Sequence, residues 1–155
     1  MITQAEIDHI VQGFQRQTLP KEEWTHRAHL ITGLFFVMTE GLEASIGRMR
    51  EGVKCYNLSV GTQNTDSGGY HESITIFFLH ALHAFRKQVG EDKTFVDLVN
   101  RFDDTPLMDE AFIFRFYSKQ LIFSVQARRE LVESDRQPLS KMHQVDFVGE
   151  RIASR

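Results

Sequence analysis

Apolar positions set out a chain of helices. Ile7, Ile10, Val11 and Phe14 fall at three- and four-residue intervals across residues 3–17, so this stretch predicts an amphipathic first helix. Thr3 stands as its N-cap, with Glu6 three positions later as the capping-box partner. Leu19-Pro20 ends it, and a second helix is expected from about Glu22 or Thr25 to Thr39, before Gly41. There Trp24, Ala28, Ile31, Phe35 and Met38 share one stripe, while His26, His29, Gly33 and Val37 lie on roughly the opposite side. Apolar residues on both sides make that helix central.

A third helix is predicted from Leu42 to Ser59, with Ile46, Met49, Val53, Tyr56 and Val60 on one face. The glycine-rich, polar segment GTQNTDSGG at 61–69 reads as a loop. A fourth helix then opens near Tyr70 and runs through ESITIFFLHALHAFRKQV, apolar nearly all round and so also central. Thr94 begins a short helix over TFVDLVNRF, and the chain beyond Asp103 reads as one or two more, the last capped by Ser124. The tail from 140 to 155 reads either as a docked arm or as a frayed end. The expected fold is all-α, a compact single-domain bundle of about five or six helices spanning residues 1–155.

Composition narrows the functional classes. At 155 residues and 41% apolar, with 13 phenylalanines, the chain has the material for one packed core. A net charge of −3 offers no broad cationic field, so neither nucleic acid nor an anionic membrane is an expected partner. No apolar run approaches the ~20 residues of a bilayer span, the first residues lack a signal-peptide pattern, and a cytoplasmic location is expected. A homo-oligomer remains possible, with His80 and His83 partly exposed or at a subunit contact. Cys55 is the only cysteine, so any metal would rely on histidine, carboxylate or tyrosine.

Histidine carries the candidate chemistry. His26 and His29, three apart in WTHRAHL, are neighbours on one helix and able to grip one ion. His71, in GYHES, lies on the inward stripe continued by Ile74, Thr75, Phe78, Leu82 and Phe85. His26 and His71 would occupy first helical turns, where the positive end of the dipole favours the neutral ring that metals bind. Three imidazoles from two central helices match the ligand number of many catalytic divalent-metal sites, with zinc, iron and manganese all candidates. Glu72 is then the candidate general base, or a fourth ligand. Tyr56 and Asn57 are candidates for orienting an imidazole or contacting substrate, Tyr70 and Asp66 for reaching in from the loop, and Arg128 for receiving a substrate carboxylate.

Three readings follow. The first is a small metal-dependent enzyme acting on a small molecule, its reaction left open among hydrolysis, isomerisation and oxygen chemistry. The second is a non-catalytic small-molecule binding or interaction module whose histidines hydrogen-bond a ligand in an aromatic-lined pocket. The third is a structural protein whose histidines satisfy one another. HESIT lacks the second histidine of the zinc-protease pattern, and no nucleophile elbow, Walker loop or dinucleotide fingerprint occurs.

WTHRAHL, Tyr56-Asn57, GYHES and the run FYSKQLIFSVQARRELVESDRQPL together resemble a group of small bacterial proteins of uncharacterised activity, over residues 19–139. That group is associated with W-T-H-x-x-H-L and G-Y-H-E-[TS] signatures; here Ser134-Asp135 stands where Pro-Asp is expected. The resemblance implies that His26, His29, His71 and Glu72 belong to a signature, and it implies no chemistry. In size and helical content the chain is also similar to DinB-type metal-binding bundles, although all three histidine candidates fall in its first half.

Overall fold

The computed structural model describes residues 1–149. Among them the secondary structure is helical throughout, without strands. Four long helices, α1 (Gln4–Gln15), α2 (His26–Glu40), α3 (Leu42–Ser59) and α4 (Glu72–Val89), make the body of the molecule. Three short ones follow: α5 (Phe95–Val99), α6 (Lys119–Ile122) and α7 (Val125–Arg129). Short 3-10 segments lie at Lys21–Glu23, Phe102–Asp104, Pro106–Met108, Glu110–Arg115 and Leu139–Gln144. The count therefore exceeds five or six. The extra elements come from residues 102–129, where Pro106 and closely spaced Ser, Thr and Asp caps stop each helix after one or two turns.

Helix starts follow side-chain chemistry. Thr3 and Glu6 form the reciprocal capping box of α1. Thr25 accepts from the Ala28 N–H and opens α2 at His26, so Trp24 lies outside the helix, at the end of the preceding 3-10 turn. The stripe expected to separate Trp24 from His29 does not form. Instead the indole folds back over the His29 ring, with centroids 3.9 Å apart, and also packs on Phe14 and Tyr56. His71 is itself the N-cap of α4, one of the less usual residues for that role.

Packing centres on α2 and α4, as their all-round apolar patterns require. α2 touches α1, α3, α4 and α5; α4 touches α2, α3, α7 and the turn at Leu139–Gln144. Gly33 lets the two central helices approach closely, since a Cβ there would stand 3.0 Å from Leu82 Cδ1 and 3.2 Å from Leu79 Cδ2. Gly41 turns the chain from α2 directly into α3 at φ 87°, a conformation that other residues rarely adopt. The 130–132 segment is tied to α4 through Ser73, whose buried hydroxyl donates to the Glu130 carbonyl and accepts from the Val132 N–H. The tail docks as far as it is described. Met142 and Phe147 are buried, and the Gln88 amide bonds the backbone of Val145 and Phe147. The remaining tail positions, 150–155, lie outside the described residues. No described helix is long and apolar enough to cross a membrane.

Candidate functional site

A cavity of ≈ 1050 Å³ lies between α2, α3 and α4, bounded further by residues of the 109–114 turn and the 122–128 segment. Its inner lining includes Leu30, Met49, Val53, Leu79 and Leu82, all buried core residues. Exposed residues among the lining, such as Lys21, Glu110, Ala111 and Phe123, mark its opening. His26, His29, His71, Tyr56, Asn57, Tyr70 and Arg128 all line this one space. Side chains from positions 26 to 128 thus meet, because α2 and α4 pack side by side and α7 closes onto α4. Glu72 and Asp66 stand apart, in a second and smaller pocket.

Each of the three imidazoles is held by a backbone carbonyl. His26 Nε2 donates to the Leu107 carbonyl at 2.7 Å, and its ring meets Phe78 edge-on. His29 Nδ1 donates to the Thr25 carbonyl at 2.7 Å. A carbonyl oxygen only accepts, so in the neutral ring the opposite nitrogen carries a lone pair: Nδ1 of His26 and Nε2 of His29. Neither makes a hydrogen bond among the described residues. Burial pushes the His29 pKa down to about 4, against the Thr25 bond that favours its protonation; nearby His26 lowers it further.

His71 differs. Its Nε2 donates to the Ile122 carbonyl at 2.7 Å, while its Nδ1 accepts the Ile74 N–H that opens α4. Burial lowers its pKa, the Ile122 carbonyl opposes this, and the positive charge of Arg128 lowers it further. A cation held by three imidazoles takes a lone pair from each ring, and His71 as placed has none to give. Among the described residues, no group of three or more His, Cys, Asp or Glu side chains is placed to hold a metal ion. The donor set therefore does not fit a three-histidine centre.

The other expected site residues have structural partners. Tyr56 donates to the Leu19 carbonyl at 2.8 Å, and Asn57 donates to the Asn64 side chain. Asn64 organises the 61–69 loop: its oxygen also accepts the Tyr70 N–H, and its amide donates to the Lys54 carbonyl. Glu72 accepts a fork from Arg50, through Nε and Nη2, and a hydrogen bond from the Tyr70 hydroxyl. Burial raises the Glu72 carboxyl, but Arg50 and Tyr70 outweigh it and hold the group below the ordinary carboxylate range. Burial and the Glu72 carboxylate raise the Tyr70 phenol well above its ordinary value. The carboxylate is thus committed to Arg50 and Tyr70 and lines the second pocket, not the cavity.

Two residues of consequence were not given their place by the sequence pattern. Arg50 is one charged residue among several on α3, and only the fold sets it against Glu72. Trp24 reads as helical until Thr25 is recognised as the cap. His80 and His83 are partly exposed, as expected, while His9 pairs with Glu23 on the surface. Comparison with family models, with curated proteins and with solved structures gives no match.

Proposed function

We propose that the protein is a small-molecule binding module, taking into its cavity an apolar molecule that carries a hydroxyl or N–H donor. The observation that carries this reading is a pair of imidazoles, His26 and His29, that line a largely apolar cavity of ≈ 1050 Å³ and each keep one ring nitrogen without a hydrogen bond among the described residues. That size is at the upper end of the range for ligand sites, and a few fixed polar groups in an apolar wall is their usual composition.

The His29 pKa favours binding over acid–base chemistry. At about 4, the ring at pH 7 is neutral by about a thousandfold, and a base so weak drives little proton abstraction. A neutral imidazole oriented by the Thr25 carbonyl is instead a fixed hydrogen-bond acceptor. Its partner forms that bond away from bulk water, where the absence of a donor costs most.

The test is a fluorescence titration with N-phenyl-1-naphthylamine, an apolar probe with one N–H. Saturable binding of one probe per chain is expected. Ile74→Trp fills the space from the α4 side and should weaken binding at least about tenfold. His29→Phe keeps an aromatic ring but removes the acceptor, for a loss of about five- to tenfold. Circular dichroism confirms that each variant folds. Absence of saturable binding, or unchanged binding in a folded Ile74→Trp protein, refutes the proposal.

A further inference from the structure

The smaller pocket, of ≈ 250 Å³, adjoins the cavity, with Tyr70 and Arg128 lining both. Its charges do not balance. Arg50, Lys54, Arg128 and Arg129 face only Asp66 and Glu72, in a chain whose net charge is −3. Glu72 takes the fork of Arg50, and Asp66 takes that of Arg129. Lys54 lies 5.4 Å from the centre of the Tyr70 ring and forms no ion pair among the described residues.

Arg128 is the uncompensated cation on the shared wall. Its Nη1 donates to the carbonyls of Gly69 and Tyr70, at 3.0 and 3.3 Å, which fixes the plane of the guanidinium. Nε and Nη2 make no hydrogen bond among the described residues. These two donors form one edge of the guanidinium, the edge that receives two oxygens of a carboxylate or sulfonate side by side. A half-buried arginine with its orientation set and one edge open is placed to receive an anion, and here it adjoins an apolar cavity.

We infer that the ligand is an amphipathic organic anion, whose carboxylate or sulfonate head docks on Arg128 while its apolar body fills the cavity. This deepens the small-molecule reading and rests on it. Lys54, on the same pocket, adds positive charge at the head, and the open acceptors of His26 and His29 meet a donor on the body. Glu72 and Asp66 do not repel the head strongly, since each is already neutralised by its own arginine.

The test compares two probes with the same body. N-phenyl-1-naphthylamine is neutral, and 1-anilinonaphthalene-8-sulfonate adds only the anionic head. In low salt the sulfonate should bind about tenfold more tightly than the neutral probe. Arg128→Gln should abolish that preference, so that the two probes, both measured on the variant, bind within about twofold of each other. A second measurement needs no variant: raising sodium chloride from about 20 to about 500 mM should weaken the sulfonate selectively. If the neutral probe binds and the sulfonate binds no tighter, or if the preference survives in Arg128→Gln and in high salt, the anion site is refuted and the cavity reading stands. If neither probe binds, both fall.

Discussion

Acidification provides a direct measure of how deeply His29 is held. The ring has an ordinary pKa of 6.5 and one of about 4 in the folded protein, because burial disfavours its charged form more than the Thr25 carbonyl favours it. The unfolded chain therefore takes up this proton first as pH falls. The stability that His29 contributes is fully present above about pH 6.5 and is lost progressively as pH descends toward 4. Between pH 7 and 4.5 the loss from this one residue is about 2.5 kcal/mol. His71, His80 and His83 are also lowered by burial and act in the same direction, so the wild-type protein alone does not isolate His29. His29→Asn does, since an amide still reaches toward the Thr25 carbonyl but does not titrate. Urea unfolding at the two pH values should show wild type losing about 2 to 2.5 kcal/mol more than the variant. Equal losses would mean that the ring is no harder to protonate in the folded protein than in water, and would remove the main support for a neutral acceptor in the cavity.

Other consequences follow from single contacts. His71→Ala removes the cap of α4 and leaves the Ile122 carbonyl without its donor, for a loss of about 2–4 kcal/mol in urea unfolding. His71→Asn should recover about 1 kcal/mol of that by restoring the cap, and no recovery would show that the ring acts by packing alone. On α3, Gly52→Ala places a Cβ 2.7 Å from the Phe14 ring and should destabilise by about 1–3 kcal/mol, whereas Gly47→Ala, with nothing within 4 Å, should stabilise by about 0.5–1 kcal/mol. Opposite signs in thermal melts are the expected result, and like signs would contradict the packing of α1 on α3. Because His71 has no free lone pair, adding a chelator to untagged protein should leave its melting temperature unchanged; a drop of several degrees would show a bound metal contributing to stability.

The long helices were legible because their signals are local. Thr3 with Glu6, the Gly41 break, and the apolar faces of α3 and α4 each act within a few residues of sequence. Residues 102–129 were less so. There Thr105, Asp109, Ser118 and Ser124 each cap a turn that ends almost as soon as it begins, and periodicity has no length over which to act. The stripe drawn through Trp24 failed for a related reason. It extended helical geometry across Thr25, whose side chain sets the first turn, and a residue before the cap has no fixed azimuth on the helix.

Spacing identified which residues meet, and it was silent on what their nitrogens do. Periodicity places His26, His29 and His71 toward a common interior, and in the structure all three line one cavity. Whether an imidazole is open to a ligand depends on the second atom each ring touches, and those atoms are distant in sequence: the carbonyl of Leu107 for His26 and that of Ile122 for His71. Only His71 also receives a backbone N–H, because it alone stands at a cap position, ahead of a helix whose first donors need an acceptor. One residue's shift in the start of α4 thus divides three similar histidines into two that each keep one ring nitrogen unbonded among the described residues and one that is consumed in holding the helix. The same shift leaves Glu72, at the first position of α4, on the Arg50 side of the helix and outside the cavity. The helix start therefore sets the chemistry of the site, and a change that moved the cap from His71 to Tyr70 or Glu72 would alter which nitrogens the cavity presents.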